Sequence, residues 1–168
     1  MKIKNNVCHT KNGRGGGAER VVANIANSLS ERGGYTVKII TLVSNESFYP
    51  LRENVIIRSS MFRVDRSNKF SAFSSMAKNF LRAFLFIRKE IEYFKPDSVI
   101  SMLIEADILT YFVKRSGLKF NHICSERNDP SRRNKYVRKF LGHIYKKANY
   151  FICQGGKSCR LLLRGTKE

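Results

Sequence analysis

The chain has 168 residues with 42% hydrophobic content, which is enough for one folded domain with a hydrophobic core and excludes an intrinsically disordered chain. No apolar run is long enough for a membrane-spanning helix, and the first residues lack the apolar segment of a signal peptide. The 32 Lys and Arg residues against 13 Asp and Glu give a net charge of +19, which favours polyanionic partners without choosing among nucleic acid, anionic lipid and phosphorylated compounds.

Apolar periodicity predicts a single domain, residues 1–168, in which six strands alternate with helices. The clearest helix covers residues 17–32, where apolar residues recur every three or four positions and Gly33 and Gly34 supply a stop. Further helices are predicted at 70–94, 106–117 and 136–148. Strands are predicted within residues 1–10 and at 35–43, 54–59, 97–103, 120–125 and 149–154.

This alternation predicts a mostly parallel sheet covered on both faces, a Rossmann-like doubly wound α/β fold. Ligands of such folds bind beyond the carboxyl ends of the strands, beside the first strand. The first strand itself fits poorly, because Lys4, Asn5 and Asn6 are unfavourable in a central strand that is buried on both faces.

A glycine-rich loop, Gly13-Arg-Gly-Gly-Gly17, precedes the first helix. Glycine permits positive φ and lets backbone N–H groups approach a ligand, and a helix N-terminus attracts anions. The pattern Gly13-x-Gly15-x-x-Ala18 also satisfies a loose dinucleotide fingerprint, so a nicotinamide-dependent oxidoreductase is one alternative. Against it, the acidic residue expected at the end of the second strand is missing, and Glu46 comes late. A tight turn without a ligand is the other alternative.

Three segments resemble the N-terminal domain of glycosyltransferase family 4, retaining enzymes of the GT-B fold that build bacterial surface polysaccharides. They are GGGAERVVANIANSLSERGGYTVKIITL, VISMLIEADILTYFV, and HICSERNDPSRR followed by LGHIYKKANYFICQ. The resemblance covers about residues 13–154. It implies an acceptor-binding domain whose glycine loop faces the diphosphate of a nucleotide-sugar donor.

The resemblance also implies positions for the site. Gly15, Gly16 and Gly17 would form the phosphate-facing loop on the donor side. The acceptor side of the cleft would be lined by Glu19, Arg20, Ser101, Glu105, Glu126, Arg127 and Asn128. Complementing the helix dipole is an equally good role for Glu19, and a solvated position is as good for Arg127 as a phosphate clamp. No catalytic residue is identified and no cofactor is expected.

The family's donor-binding domain, with its glutamates eight positions apart, has no counterpart in the sequence. We therefore expect a glycosyltransferase-like acceptor domain that is incomplete or inactive alone, either from a truncated frame or as half of a two-chain enzyme. The nucleotide-sugar donor would bind only with a second domain. The three histidines and four cysteines show no metal-ligand spacing, so no metal is expected. The cysteines form no CxxC pair, and two of them lie in apolar, strand-like runs that suit buried reduced thiols, so we expect a reducing, cytoplasmic compartment.

Residues 63–95 and 127–147 each contain eight Lys or Arg residues. In the first of these segments Leu81, Leu85 and Phe86 widen the apolar face of the predicted helix. Basic amphipathic helices of this kind suit an anionic membrane surface and agree with a lipid-linked or saccharide acceptor. We expect a cytoplasmic protein peripheral to the inner face of the cell membrane. A core helix with a solvated basic back is the alternative, and a nucleic-acid-binding module is supported only by charge.

Overall fold

The computed structural model of the chain describes residues 3–9, 16–43, 46–60, 69–127, 131, 133–153 and 162, without the side chains of 3–9 and 69–76. Strands and helices alternate along the described residues, as the sequence predicts. The elements are β1 (Ile3–His9), α1 (Gly17–Glu31), β2 (Tyr35–Thr41), β3 (Ile56–Ser59), α2 (Lys69–Phe94), β4 (Ser98–Met102), α3 (Ile104–Arg115), β5 (Asn121–Glu126), α4 (Lys135–Lys147) and β6 (Tyr150–Cys153).

The six strands form one parallel sheet in the order β3-β2-β1-β4-β5-β6. This arrangement confirms the prediction of a Rossmann-like doubly wound α/β domain. The strand order reverses between β1 and β4, where Asn5 pairs with Val37 on one side and with Ser98 on the other. The carboxyl ends of all strands lie at one edge of the sheet, because the strands are parallel.

The first strand forms and occupies the centre of the sheet, although its polar residues argue against a central position. Its backbone is paired along Ile3–His9 with β2 and along Asn5–His9 with β4. A polar strand can be held in this position because both sets of backbone hydrogen-bonding groups are satisfied by neighbours. Pairing on both sides thus prevails over unfavourable side-chain propensity.

The core is divided between the two faces of the sheet by the alternation of side chains along each strand. Val37 and Ile39 of β2 pack with α1, whose apolar face includes Val22 and Ala26. On the other face, Ile40 packs with residues of α2 and α3. A third cluster joins β5 to α4 through Cys124, Leu141, Ile144, Tyr145 and Leu162.

The sequence predicts that the chain has no membrane-spanning helix and that its cysteines are reduced. No helix among the described residues has the length and apolar character needed to cross a bilayer. Cys124 is a free thiol, completely buried on β5. Cys153 at the end of β6 is disulfide-bonded, so the expectation of reduced cysteines is wrong at this position.

Candidate functional site

The candidate site lies at the edge of the sheet where the strands end. The N-terminus of α1 begins here, with Gly16 as the N-cap and Gly17 as the first helical residue. β1 and β4, on either side of the reversal in strand order, end at His9 and Met102. In this position the free N–H groups of α1 can receive an anion. Gly15, also predicted for the loop, lies outside the described residues.

The backbone conformation at positions 16 and 17 does not require glycine. Gly16 has φ −73° and ψ 157°, which any residue adopts, so the expectation of positive φ is wrong here. A Cβ atom added at either glycine would meet no atom within 4 Å. Neither backbone strain nor packing within the described residues therefore accounts for these glycines. Close approach by a ligand remains as a physical reason for them.

Glu19 acts locally on the same loop. Its Oε2 accepts the backbone N–H of Gly16 at 3.2 Å, and it stands in the first turn of α1, where a negative charge complements the helix dipole. Arg20 beside it is exposed. The carboxylate thus competes for the amide that an incoming anion would use, and Arg20 supplies the positive charge nearby.

A small pocket adjoins this loop at the end of β2. Its lining includes Glu19, Thr41, Glu46 and Phe48. The Phe48 side chain is 62% exposed, although it is aromatic. Sequence reasoning did not identify Thr41 or Phe48 as site residues. The available signal was the position of Thr41 at the carboxyl end of β2, which is the ligand-binding edge, with Phe48 in the segment that follows.

The chain turns sharply after β4. Leu103 has φ 77° and ψ 152°, a conformation that is costly for a residue other than glycine. It is the N-cap of α3, and it places Glu105, which is exposed, in the first turn of that helix at the site edge. Strain of this kind persists only where the surrounding structure imposes it, and it concentrates at functional sites.

Ser101, in contrast, is an interior group. It is fully buried, and its Oγ donates to Asp107 Oδ1 at 2.5 Å and lies 2.9 Å from His122 Nε2. Alternation along β4 turns this side chain toward α3, away from the cleft surface. The role expected for Ser101 on the acceptor side stays a prediction.

Glu126 is also buried, with 2% of its surface exposed. Its carboxylate accepts two hydrogen bonds from the Arg133 guanidinium, Nη1 to Oε2 at 2.5 Å and Nη2 to Oε1 at 3.1 Å. The Tyr145 hydroxyl lies 2.9 Å from Glu126 Oε2 and 3.1 Å from Asp107 Oδ2. Glu126 therefore holds Arg133 and Tyr145 at the end of β5, and its expected place on the acceptor side stays a prediction.

Arg127 follows Glu126 at the same edge and is partly buried. Its Nε is buried without a hydrogen-bond partner among the described residues. An unsatisfied buried guanidinium nitrogen is costly, and an anionic ligand would satisfy it. Asn128, the other residue predicted here, lies outside the described residues.

We call the group Ser101, Asp107, His122, Cys124, Glu126, Arg133 and Tyr145 the buried polar cluster. Burial raises the pKa of Asp107 to about 8, against the opposing hydrogen bonds from Ser101 and Tyr145. Burial, assisted by the charge of Lys114, lowers the pKa of His122 to about 4. Burial also raises the pKa of the Cys124 thiol. At neutral pH this part of the interior carries less charge than its residue types suggest.

Part of this cluster has the atom types of a metal site. One ligand atom each from Asp107, His122 and Cys124 lies within 4.8 Å of the others. His122 and Cys124 are on β5, and Asp107 comes from α3. Ser101 bridges the first two of these residues by hydrogen bonds, so their polar atoms already have partners. We therefore describe the group as a hydrogen-bonded cluster and assign no metal to it.

Comparison with known proteins gives a family and a fold. Residues 15–167 match the family model for Glycosyltransferase Family 4. No curated protein sequence is significantly similar to the chain.

Several solved structures share the fold. Sucrose-phosphate synthase from Thermosynechococcus elongatus superposes with a TM-score of 0.71 at 10% identity, over 97% of this chain and 45% of that one. The lipopolysaccharide outer core galactosyltransferase WaaB gives 0.64 at 12% identity, over 100% and 43%. The UDP-GlcNAc 2-epimerase from Methanocaldococcus jannaschii gives 0.64 at 15% identity, over 99% and 43%. The chain thus spans less than half the length of these proteins.

Proposed function

Because the chain belongs to glycosyltransferase family 4, we propose that it forms the acceptor-side half of a sugar-transfer cleft. In this proposal Gly16, Gly17 and the N-terminus of α1 receive the diphosphate of a nucleotide-sugar donor. Membership of this family favours sugar transfer over the nicotinamide-dependent and nucleic-acid-binding alternatives. The donor itself would require further protein groups to be held tightly, so transfer by this chain alone is not expected.

The observation that carries the proposal is the open loop at the switch point. Gly16 and Gly17 have room for a side chain that they do not carry. They lie at a helix N-terminus, where free N–H groups and the dipole favour an anion. Arg20 and the unsatisfied Nε of Arg127 add positive charge to the same edge of the sheet.

The acceptor side of the proposed cleft is the pocket at the end of β2. Phe48 presents an exposed aromatic ring there, and Thr41, Glu19 and Glu46 supply polar atoms beside it. A ring of this kind can cover the apolar face of a sugar while the polar groups bond to its hydroxyls. We propose a saccharide or lipid-linked saccharide as the acceptor, in bacterial surface polysaccharide synthesis.

Substitution of Gly17 by Ala tests the donor-side proposal. The added methyl meets no atom, and Ala is favoured over Gly in a helix by up to about 1 kcal/mol, so the fold should be retained. Titration with inorganic pyrophosphate, followed by amide chemical shifts, should move the signals of Gly16, Gly17 and Arg20 in the wild type. The Gly17→Ala variant should bind pyrophosphate more weakly.

Asn24→Ala is the matched control, because Asn24 is an exposed position of the same helix remote from the loop. It should bind pyrophosphate as the wild type does. Equal binding by wild type and Gly17→Ala, or shifts confined to other basic surfaces, would contradict the proposed role of the loop. Tight and sugar-specific binding of a nucleotide sugar by the chain alone would contradict the proposal that it supplies only half of the cleft.

A second proposal concerns attachment to an anionic membrane. On the outer side of α2, Lys78, Leu81, Arg82, Leu85 and Lys89 share one face by helical spacing, and we call them the outer α2 stripe. Leu81 and Leu85 are 56% and 54% exposed. Exposed leucines framed by basic side chains suit the headgroup region of an anionic bilayer, which offers both apolar depth and negative charge.

Vesicle sedimentation tests this second proposal. The wild type should bind vesicles that contain anionic lipid and be released by salt, because the Debye length falls to about 3 Å at 1 M salt. Leu81→Ser combined with Leu85→Ser should weaken binding. Ile152→Ser, at a 50% exposed position on β6, is the control. Unchanged binding by the double variant, or equal binding to neutral vesicles, would contradict the proposal.

A further inference from the structure

In the buried polar cluster, one hydroxyl group contacts two carboxyl groups, and its single proton cannot form hydrogen bonds to both if both are ionised. The Tyr145 hydroxyl has one proton but lies within hydrogen-bonding distance of two carboxylate oxygens, Asp107 Oδ2 at 3.1 Å and Glu126 Oε2 at 2.9 Å. If both carboxylates were ionised, one of these contacts would bring two oxygen atoms together without a proton between them. One of the two carboxyl groups must therefore supply a proton.

The surroundings decide which carboxyl group is neutral. Glu126 accepts two hydrogen bonds from the Arg133 guanidinium and so has a cationic partner in direct contact. Asp107 has no ion-pair partner at hydrogen-bonding distance in the described part of the chain, and it is fully buried. The ionised form of a group in such a position is strongly disfavoured.

We propose that Asp107 is a neutral carboxylic acid whose proton is donated to Tyr145, and that it thereby positions the Glu126–Arg133 ion pair at the site edge. The Tyr145 hydroxyl then donates its own proton to Glu126 Oε2. On the other side, Ser101 donates to Asp107 Oδ1, and His122 Nε2–H donates to Ser101 Oγ. In this arrangement each of these polar atoms has a partner with the correct number of protons. Asp107 is a positioning residue, since it acts through Tyr145.

The raised pKa of Asp107, about 8, agrees with this geometry and gives it a pH signature. A carboxyl whose pKa is higher in the folded than in the unfolded protein contributes stability at low pH. That stability is lost as the pH rises from the unfolded value toward 8. His122, with its lowered pKa, has the opposite effect below about pH 6.5. The loss of the stability contributed by protonated Asp107 should therefore be clearest between about pH 6.5 and 8.

Several other groups face Asp107 or act on the same interior, and each must be considered in a pH experiment. Tyr145 and the Cys124 thiol have raised pKa values, so they stay protonated through this window. The charged groups nearby are Glu126 and Arg133, with Lys114 acting on His122 and Cys124. A comparison of variants at each pH separates the contribution of Asp107 from these groups.

Urea unfolding of the wild type and of Asp107→Asn from pH 5.5 to 8.5 tests the proposal. The carboxamide has the shape of a neutral acid, can donate to Tyr145 and cannot ionise. The ratio of the wild-type unfolding constant to that of the variant should rise about tenfold per pH unit and level off near pH 8. Asp107→Leu, which cannot replace either hydrogen bond, should be destabilised at every pH. Glu53→Gln, at an exposed turn, should leave the pH dependence unchanged.

A measurement on the wild type keeps the test valid if Asp107→Asn fails to fold. Infrared spectra at pH 7 should show the carbonyl stretch of one protonated carboxylic acid, because exposed carboxyl groups are ionised there. The band should disappear above pH 8.5. Absence of the band, or a ratio of unfolding constants that does not change with pH, would overturn the proposal. Stoichiometric zinc in the purified protein would also overturn it, because a carboxylate bound to a metal is ionised. None of these results depends on sugar transfer or on the glycine loop.

Discussion

Lys38 is a buried cation in the middle of β2, and its pairing gives a sharp prediction about stability. Its side chain is 4% exposed, and Nζ lies 3.0 Å from Oε2 of Glu90 on α2, whose side chain is 19% exposed. The same Nζ lies 4.4 Å from the ring centroid of Phe94. Nζ also lies 5.8 Å from the ring centroid of Tyr93. This lysine therefore depends on one carboxylate and two aromatic rings for compensation of its charge.

Glu90→Gln should lower the free energy of unfolding by about 3 kcal/mol. Removing one partner of a buried ion pair costs about 3–5 kcal/mol, and the lower end applies because Glu90 retains some contact with water. Lys38→Met should change stability by less than about 1 kcal/mol, since Met fills a similar volume and leaves Glu90 able to reach solvent. The two substitutions of one ion pair should thus have clearly unequal effects.

Urea unfolding followed by circular dichroism measures both effects, provided that the dependence on urea concentration is the same for all variants. Glu92→Gln, an exposed position on the same helix, is the control and should resemble the wild type. If Glu90→Gln is no less stable than Lys38→Met, the view that Glu90 compensates a buried charge is refuted.

Three further predictions concern the described core and helix ends. Leu141→Ala, at a fully buried position, should cost about 2–5 kcal/mol in urea unfolding, and a cost under 1 kcal/mol would contradict its place in the core. Asn134→Ala should cost about 1 kcal/mol, because the Asn134 side chain accepts the Tyr136 N–H at 2.9 Å as the cap of α4; no loss of melting temperature would argue against the cap. Cys124 should react with thiol reagents only after unfolding, because it is buried and its pKa is raised; mass spectrometry showing rapid labelling of the native chain would refute this.

Much of the fold could be predicted from the sequence, because its helices and strands have strong periodicity and clear stops. Residues 70–94, predicted as a helix, are found within α2, and the strand predicted at 120–125 is found at Asn121–Glu126. The central position of β1 could be inferred only from the fold class, since its polar residues argue against it. Backbone pairing with two neighbours is a tertiary effect that local propensity does not contain.

The site was less accessible to sequence reasoning. The glycine loop could be found, because four glycines before an amphipathic helix are a local signal. The buried polar cluster could not, since Ser101, Asp107, Glu126 and Tyr145 come from four elements and meet only when β4, β5, α3 and α4 pack. From sequence alone, a buried polar residue at the end of a strand cannot be distinguished from one that lines a cleft. Which face of the sheet they occupy depends on strand register.

The position of β1 in the sheet also affects how the chain can fold during synthesis. β1 is synthesised before β4, so the edge of β1 that includes Asn5 has no native neighbour until Ser98 and the rest of β4 have been made. At roughly 5–20 residues per second, the ribosome needs on the order of ten seconds to produce that partner. During this interval one side of the future central strand has no native neighbour, and an open strand edge can pair with other chains. The polar residues of β1, unfavourable in the finished sheet, would keep such an edge soluble while the nascent chain waits for β4.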